Sequence, residues 1–150
     1  MLPFSFNLPS AEIYNSANVL QREVATRMVE RLAYLKHAPK LILDIGARTG
    51  FGTRLLQQHF PDALLMALDR APQILRQGFP LAPAWKRLIG LGDSSFVCTS
   101  ADITRLPLRD ASVDMIWSNL ALHYDDPDAA FKEAQRVLKP GGLIMFSLFG

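Results

Sequence analysis

Hydrophobic residues near the start of the chain recur at helical spacing. They lie three or four positions apart and predict one buried stripe, formed by Leu20, Val24, Met28, Leu32 and Leu35. Ser16 can cap the first turn of this helix, because its hydroxyl can accept a hydrogen bond from a backbone N–H that has no partner within the helix. The pattern therefore predicts a helix from Ser16 to about Leu35, and Pro39 ends this unit.

After Pro39 the pattern changes to short, continuous apolar runs. Such runs are typical of parallel strands that are buried on both faces. They predict strands at Leu41–Leu43, Leu64–Leu68, Phe96–Thr99, Val113–Ser118 and Leu143–Leu148. The third run contains Cys98, which we expect to lie in the core.

Segments of helical character separate these runs. One passes through Leu55 and Leu56, and Pro72 suits the first turn of another. Asp126 and Pro127 open a further helix, which is expected to end at the sequence Pro140-Gly141-Gly142. Its apolar positions share a face and are Ala130, Phe131, Ala134, Val137 and Leu138.

The alternation of strands and helices predicts the fold class. It indicates βαβ units, right-handed crossovers and a Rossmann-like, doubly wound parallel α/β sheet of about five strands. Residues 79–95 are rich in proline and glycine and are predicted to form an irregular insertion. Residues 1–15 are interpreted as an N-terminal flap, and residues 16–150 as one domain.

Composition narrows the class of protein. A chain of 150 residues with 49% hydrophobic positions can bury one sizeable core. Its apolar runs are far shorter than the ~20 residues that cross a bilayer, and its first residues lack the basic region of a secretory signal. The single cysteine excludes a disulfide scaffold and a cysteine-rich zinc site. We expect a cytoplasmic protein without a membrane partner.

Charge is distributed unevenly along the chain. Residues 1–60 contain seven Lys and Arg against four Asp and Glu, whereas residues 101–150 contain five against seven. Since no basic cluster is interleaved with aromatic residues, nucleic acid is not the expected partner. The acidic second half instead suggests a site for a cationic or polar ligand, and we expect Asp102 and Asp114 to lie near the strand ends that face it.

Three features follow the predicted strands at the edge where ligands bind in such sheets. A turn with glycines at positions 46, 50 and 52 follows the first strand and allows close approach of a ligand to the backbone. Asp69 follows the second strand and can accept both hydroxyls of a ribose. Asp102 follows the third and can accept a hydrogen bond from an exocyclic amine such as N6 of adenine. Together they predict a nucleoside site.

The spacing of the glycines in this turn limits which nucleoside ligand is expected. Gly46, Gly50 and Gly52 do not fit the G-x-G-x-x-G pattern that binds a dinucleotide pyrophosphate, and the phosphate-binding lysine motif is absent. An adenosine without phosphate fits better and points to S-adenosylmethionine (SAM). A dinucleotide oxidoreductase remains a distant alternative.

Several segments, in order, resemble the motifs of class I SAM-dependent methyltransferases. They are Leu43–Gly50, Ala67–Asp69, Ser100–Ile103, Asp114–Tyr124 and Arg136–Gly142, and the resemblance extends from about Tyr14 onward. Within that family, Val19–Ala25 and Ser118–Leu122 resemble the branch of biotin-pathway malonyl-acyl-carrier-protein O-methyltransferases. The related methyltransferase-like proteins of respiratory complex I assembly share these segments.

The resemblance implies a set of cofactor-binding residues. Gly46 and Gly50 would approach the methionine and ribose parts, Asp69 would hold the ribose, and Asp102 with Ile103 would frame the adenine. The other positions are Asp44, Arg48, Arg70, Asn119 and Leu120, of which the last two would line the sulfonium side. It further implies methyl transfer to the carboxylate of a small molecule or of a malonyl group on an acyl carrier protein. An ionised carboxylate needs no strong general base.

The chain departs from the family pattern in two ways. Arg48 stands where the family usually has the middle glycine, and it could block the backbone approach, repel the sulfonium, turn outward or pair with the methionine carboxylate. Family members also continue well beyond the fifth strand, so we expect a domain that is incomplete at its C-terminus. Both departures favour an alternative function, a non-catalytic binding or assembly protein that keeps the fold.

Other candidate residues carry weaker signals. His123 is a weak candidate for a general base, although a structural role is more common for such a residue. No metal is expected, because Asp126 beside Pro127 already serves as a helix cap. The segment Trp85–Arg87 could contact an acidic carrier protein, although an ordinary solvated loop is the commoner interpretation. No nucleophile elbow of a hydrolase is present.

Overall fold

A computed structural model describes residues 18–81, 88–89, 96–122 and 126–149. The predicted flap at residues 1–15, the Ser16 cap, the segment Trp85–Arg87, most of the predicted insertion at 79–95, and His123 lie outside the described residues. None of the helices that the model describes is long and apolar enough to cross a membrane.

Helices and strands alternate along the described chain as the pattern predicts. The elements are α1 (Val19–Leu32), β1 (Leu41–Ile45), α2 (Phe51–His59), β2 (Leu64–Asp69), α3 (Pro72–Gly78), β3 (Phe96–Ser100), β4 (Val113–Asn119), α4 (Pro127–Val137) and β5 (Leu138–Ser147). The strands pair in parallel in the order β3-β2-β1-β4-β5. The predicted doubly wound α/β sheet is confirmed. Strand order reverses between β1 and β4, because β1 is followed by β2 on one side of it and β4 is followed by β5 on the other side.

Both faces of the sheet are covered by apolar side chains. On one face, α1 and α2 pack against Ile42, Leu65, Met115 and Trp117. On the other, α4 packs with the segment after β3 against residues that include Leu43. Because successive strand residues point to opposite faces, Asp44 falls on the same side as Ile42, beneath α2. The Asp44 carboxyl group is therefore buried between the sheet and α2.

The first helix is shorter and rotated relative to the prediction. It runs from Val19 to Leu32, and its buried residues are Ala25, Met28 and Leu32. Leu20 and Leu35, which were expected in the buried stripe, are 57% and 45% exposed. The prediction counted only large apolar residues, whereas the stripe that faces the sheet includes the small residue Ala25.

The end of the last helix was also predicted wrongly. α4 ends at Val137, and Leu138 begins β5, which continues to Ser147. The sequence Pro140-Gly141-Gly142 therefore lies within the strand and not at a helix stop. The pairing of β4 with β5 is irregular between Val113 and Met115, which accommodates these residues. At the other end of α4 the predicted cap is confirmed, since the Asp126 side chain accepts a hydrogen bond from the Asp128 N–H.

Cys98 does not lie in the core. It is exposed, because β3 is the first strand in the order and, within the described part of the chain, pairs only with β2. The short apolar run predicts a strand but not whether that strand lies inside the sheet or at its edge.

Asp114 lies at the end of the sheet opposite to the expected one. It follows the first residue of β4, and its carboxylate accepts hydrogen bonds from the N–H groups of Lys40 and Leu41 and from Lys139 Nζ at 2.8–3.0 Å. Asp114 thus ties the amino ends of β1, β4 and β5 together. The expectation that it faces a cationic ligand at the carboxyl edge is wrong.

This role of Asp114 predicts a pH-dependent contribution to stability. Burial alone raises the pKa of Asp114, but the hydrogen bonds from Lys139, Leu41 and Lys40 outweigh burial and hold the pKa below its ordinary value of 3.8. Asp114→Ala should lower the free energy of unfolding by about 2 kcal/mol at pH 7. Since the folded-state pKa is depressed, this difference should shrink as the pH falls from about 4 through the folded-state pKa.

Urea unfolding of the wild type and Asp114→Ala at several pH values measures the difference. Asp62→Ala, which removes an exposed carboxylate, is the control and should change stability by less than about 0.5 kcal/mol. An Asp114→Ala difference that stays constant down to pH 3 would contradict this account.

Candidate functional site

The turn after β1 has a backbone conformation that favours glycine. Gly46, Arg48 and Gly50 all have positive φ, at 73°, 54° and 82°. Arg48 therefore occupies the left-handed region, which costs an ordinary residue about 1 kcal/mol. Contacts with β2 hold the turn in place. The Leu68 carbonyl accepts hydrogen bonds from the N–H groups of Gly46 and Ala47, and Asp69 Oδ2 accepts one from the Arg48 N–H at 2.9 Å.

The Asp69 carboxylate accepts hydrogen bonds from two backbone segments. Its Oδ2 accepts the Arg48 N–H and its Oδ1 accepts the Ala71 N–H, both at 2.9 Å. A carboxylate has about four acceptor positions in total, so two backbone bonds leave capacity for two further donors. The predicted capacity to accept ribose hydroxyls is compatible with these contacts.

A cavity of about 390 Å³ opens beside Asp69. Its walls are largely apolar, and residues from the ends of β1 and β2, from α3 and from the segment after β3 contribute to it: Ile45, Gly46, Arg48, Leu68, Asp69, Arg70, Ala71, Ile74, Ala101, Ile103 and Ala121. An apolar cleft with one carboxylate at its rim suits a flat, mostly apolar ring joined to a hydroxylated group. We name this space the Asp69 cavity.

A second, smaller cavity lies on the other side of the same turn. It has a volume of about 40 Å³, and its lining is more polar than that of the Asp69 cavity: Asn18, Gln21, Arg22, Asp44, Gly46, Ala47, Arg48, Thr49, Phe51, Gly52, Trp117 and Asn119. Two buried polar atoms in this lining, Gln21 Oε1 and Trp117 Nε1, have no hydrogen-bond partner among the residues that the structure describes. Such atoms are costly unless a water or a ligand satisfies them. We name this space the Asp44 cavity.

Asp44 is a buried carboxyl group at the base of the second cavity. Its Oδ2 accepts a hydrogen bond from the Thr53 hydroxyl at 2.6 Å. Burial raises the pKa of Asp44 from 3.8 to about 7, while the Thr53 hydrogen bond and the charge of Arg48 oppose the rise and the charge of Asp69 adds to it. Asp44 can therefore change its charge near neutral pH, and a cationic ligand group would favour the ionised form.

Arg48 points into the cleft and not outward. Its Nη2 donates a hydrogen bond to the Leu120 carbonyl at 3.0 Å, so the side chain spans from the turn after β1 to the segment after β4. Arg48 and Gly46 line both cavities and separate them. Of the possibilities left open by the sequence, an outward orientation is not the one observed.

The segment after β4 is fixed by β5. The Leu120 N–H donates to the Ser147 carbonyl and hydroxyl oxygens, and Leu120 has a positive φ of 51°. The Asn119 amide donates to the Gln21 carbonyl at 2.7 Å and accepts from the Ser147 hydroxyl at 3.0 Å. Asn119 lines the Asp44 cavity, whereas Leu120 is buried beneath it and contributes its carbonyl to Arg48.

Two other predicted residues do not reach either cavity. Asp102 Oδ1 accepts hydrogen bonds from the N–H and the hydroxyl of Thr104, so Asp102 shapes the turn after β3. The same oxygen lies 3.7 Å from Arg70 Nη2. The neighbouring Ile103, in contrast, lines the Asp69 cavity. Gly50 caps α2, and a side chain there would overlap the ring of Phe79. The cofactor-binding roles of Asp102 and Gly50 therefore stay predictions without support from their positions.

Sequence reasoning missed Gln21 and Trp117. The sequence does contain a signal for Gln21. It precedes Ala25 by about one helical turn, so it is a polar residue on the buried face of α1. Trp117 is the one aromatic side chain in the buried run of β4, and a buried indole ordinarily needs a hydrogen-bond acceptor.

Comparison with known proteins supports the resemblance. Residues 43–146 match the family model described as a methyltransferase domain. The chain is 42% identical to a malonyl-[acyl-carrier protein] O-methyltransferase of Nitrosospira multiformis, over 94% of this chain and 49% of that protein. It is 44% identical to the protein of the same name from a Methylovorus species, over 94% of this chain and 47% of that protein. The chain thus spans about half the length of the curated relatives it matches.

A solved structure shares the fold. A protein from Methanococcus maripaludis, assigned as an S-adenosyl-L-methionine-dependent methyltransferase, superposes with a TM-score of 0.72 at 19% identity. The match covers 95% of this chain and 67% of that one. At this identity the likeness supports the sheet architecture alone.

The pKa of Asp44 predicts how stability depends on pH. In the unfolded chain the carboxyl ionises near pH 3.8, whereas in the folded chain it stays protonated up to about pH 7. The contribution of Asp44 to stability is therefore fully present below pH 3.8 and is lost as the pH rises to 7, at a limiting slope of about 1.4 kcal/mol per pH unit. Asp44→Asn lacks this component and should gain stability relative to the wild type across that window. Urea unfolding of both proteins measures the difference, and a difference independent of pH would contradict the assignment.

The close contact at Gly46 predicts a second effect. A Cβ at this position would overlap the Ala121 Cβ, and the φ of 73° is unfavourable for other residues. Gly46→Ala should therefore lower the free energy of unfolding by at least about 2 kcal/mol. Gly52→Ala is the matched control, because its Cβ would lie 3.3 Å from Trp117 Nε1 within a helix that favours alanine. Equal losses in thermal unfolding of the two variants would show that the Gly46–Ala121 contact does not constrain the turn.

Proposed function

The chain belongs to the methyltransferase domain family, and on that premise we propose that it binds SAM across the two cavities and transfers the methyl group to a carboxylate. One observation carries the proposal: Gln21 Oε1 and Trp117 Nε1, beside Asp44, have no partner in the described part of the chain, and a larger apolar cavity with Asp69 at its rim lies next to them. One ligand with a zwitterionic end and a nucleoside end satisfies both cavities.

The Asp69 cavity suits the adenosine part. Ile74 and Ile103 supply apolar walls for the adenine ring, and Asp69 retains acceptor capacity for the two ribose hydroxyls. Arg70 also lines this space. We assign no direct adenine contact to Asp102, because its side chain does not line the Asp69 cavity.

The Asp44 cavity suits the amino-acid part. An ammonium group needs acceptors, which Asp44 and Gln21 Oε1 supply, and a carboxylate needs donors, which Trp117 Nε1 and Arg22 supply. The volume of about 40 Å³ holds little more than a water molecule, so the contact between Arg48 and the Leu120 carbonyl must open to admit this part. Ligand binding and movement of Arg48 are therefore coupled.

SAM supplies an electrophilic methyl group on a sulfonium. In the transfer, a carboxylate lone pair forms the new O–C bond while the S–C bonding pair stays on sulfur, which leaves a neutral thioether and a neutral ester. Since the acceptor is already ionised, the chain need only bind, orient and shield the reacting groups. No residue of the described chain is assigned as a general base.

We infer the acceptor from the relatives. Malonyl-[acyl-carrier protein] O-methyltransferases are 42–44% identical to this chain, which supports a malonyl group on an acyl carrier protein as the substrate and a place in biotin synthesis. A protein of the cytoplasm that binds neither nucleic acid nor membranes fits this role. The alternative, a non-catalytic binding or assembly protein, is favoured by one observation, the Arg48 side chain that closes the cleft.

The two cavities can be tested separately by binding calorimetry. SAM and 5′-methylthioadenosine share the adenosine part, but only SAM has the amino-acid part. Asp69→Asn should weaken binding of both ligands at least tenfold, because the ribose hydroxyls lose a charged acceptor. Asp44→Asn should weaken SAM alone. Asp62→Asn is the control, and an Asp44→Asn effect on both ligands would contradict the assignment of the cavities.

Methyl transfer itself is tested with malonyl-acyl carrier protein and SAM, followed by mass spectrometry of the carrier protein. The proposal predicts a single added methyl group on the malonyl carboxylate. Acetyl-acyl carrier protein lacks the free carboxylate and should remain unmodified. SAM binding without any methyl transfer would favour the non-catalytic alternative.

A further inference from the structure

The charge of Arg48 lies at the boundary between the two cavities. Arg48 lines both of them, and its guanidinium reaches the Leu120 carbonyl across the gap. We propose that Arg48 sets the selectivity of the site between cationic SAM and its neutral product S-adenosylhomocysteine (SAH), in favour of SAH. This inference rests on the proposed function, since it requires a ligand whose two ends occupy the two cavities.

The position of the sulfur follows from the two cavities. In SAM and in SAH the sulfur atom joins the adenosine to the amino-acid part. If the adenosine lies in the Asp69 cavity and the amino-acid part in the Asp44 cavity, then the sulfur lies where the cavities meet. Gly46 and Arg48 form that boundary, and glycine has no side chain to offer. Arg48 is therefore the side chain nearest to the site of charge change.

Arg48 cannot move far from this boundary. Its backbone N–H is held by Asp69 Oδ2 at 2.9 Å, within a turn that the Leu68 carbonyl also fastens. The hydrogen bond from Nη2 to the Leu120 carbonyl holds the other end of the side chain, and the Leu120 N–H is fixed in turn by Ser147. Opening the cleft breaks the bond to Leu120 but leaves the backbone anchored. The guanidinium thus stays within one side-chain length of the junction.

The carboxylates of Asp69 and Asp44 also lie near the junction and attract the sulfonium, since Asp69 Oδ2 accepts the Arg48 N–H and the charges of Arg48 and Asp69 both act on Asp44. They are unchanged in an Arg48 variant, so a change of selectivity in that variant reports the Arg48 charge alone. The remaining contacts are shared by the two ligands. Asp69 faces the ribose, Asp44 and Arg22 face the amino-acid part, and Arg70 lines the adenosine side. These parts are identical in SAM and SAH, which differ by one methyl group and one positive charge on sulfur. Only a charge close to the sulfur can discriminate strongly between them, and repulsion between two like charges a few ångströms apart in a partly buried site corresponds to about tenfold or more in affinity.

An alternative role for Arg48 makes a different prediction. If the guanidinium turned to the carboxylate of the amino-acid part, it would strengthen binding of SAM and SAH equally. If it merely obstructed the cleft, it would weaken both equally. The ratio of the two dissociation constants therefore separates selectivity from anchoring and from obstruction.

Arg48→Met is the decisive variant. It removes the charge but keeps an unbranched side chain and the same Cβ in the left-handed turn, so the backbone strain is unchanged. Calorimetry at low ionic strength should show the ratio Kd(SAM)/Kd(SAH) falling about tenfold relative to the wild type. Arg48→Lys keeps the charge and should retain most of the wild-type ratio. Thermal unfolding of each variant verifies that it is folded.

Two controls isolate the position of the charge. Arg27→Met removes an exposed charge that pairs with Glu23 on α1, and it should leave both affinities unchanged. Arg22→Met removes a charge at the amino-acid end and should shift both affinities together, with the ratio unaltered. A ratio that falls as much in Arg22→Met as in Arg48→Met would overturn the proposal.

The remaining outcomes are also distinct. An unchanged ratio in Arg48→Met, with both affinities lowered or both raised, overturns the selectivity role while the proposed function stands. If the wild type and every variant bind neither SAM nor SAH, the proposed function itself fails, and the inference fails with it.

Discussion

The hydrogen bonds that fasten the turn after β1 to the end of β2 determine the geometry of the whole carboxyl edge. The Leu68 carbonyl and the Asp69 carboxylate accept the N–H groups of three successive turn residues, Gly46, Ala47 and Arg48. This anchoring brings Gly46 against Ala121 on the opposite side and so sets the boundary between the two cavities. Asp69 therefore anchors the turn and also lines the larger cavity, and its second oxygen supports the start of α3 through Ala71.

The buried carboxyl group of Asp44 in the adjacent cavity shows that polar groups held in place for a ligand lower the stability of the free chain. Burial raises the pKa of Asp44 to about 7, so the ionised form is disfavoured in the folded chain without a ligand. The unpartnered Trp117 and Gln21 atoms are destabilising for the same reason. Under the proposed function, a zwitterionic ligand would give the Gln21 and Trp117 atoms a partner and would favour the ionised form of Asp44 through its ammonium group. Binding of such a ligand would recover part of the stability lost in the free chain, which is the expected relation between site preorganisation and fold stability.

Sequence predicts the fold well because the strand runs and helix periodicity are local signals. The five strands, their parallel pairing and the Asp126 cap were predicted correctly, and the family match was anticipated from the motifs between residues 43 and 142. Features that depend on tertiary contacts were not predictable. Cys98 is exposed because its strand lies at the edge of the described sheet. The role of Asp114 at the amino ends of the strands depends on contacts with Lys40, Leu41 and Lys139, which lie far from it in sequence.

Within the candidate site, sequence indicates where backbone approaches a ligand but not how side chains fill the cleft. The orientation of Arg48 depends on the Leu120 carbonyl, which lies 72 positions away in the chain. Likewise, Gln21 and Trp117 become notable only when helix α1 is packed against β4 and both polar atoms are found without partners. The adenine-contacting role of Asp102 stays a prediction: its Oδ1 accepts hydrogen bonds from Thr104, and its side chain does not line the Asp69 cavity.

Positions 46 and 48 have similar backbone conformations but differ in what a side chain would meet. At Gly46 an added Cβ overlaps Ala121, so glycine is required by packing. At position 48 the side chain enters the cleft, and the structure holds an arginine there with a φ of 54°. The network around the turn, rather than glycine itself, therefore sets the backbone at position 48. Since the fold accepts a side chain at this point at a cost of about 1 kcal/mol, the chemical consequence of Arg48 is the positive charge that it places between the cavities.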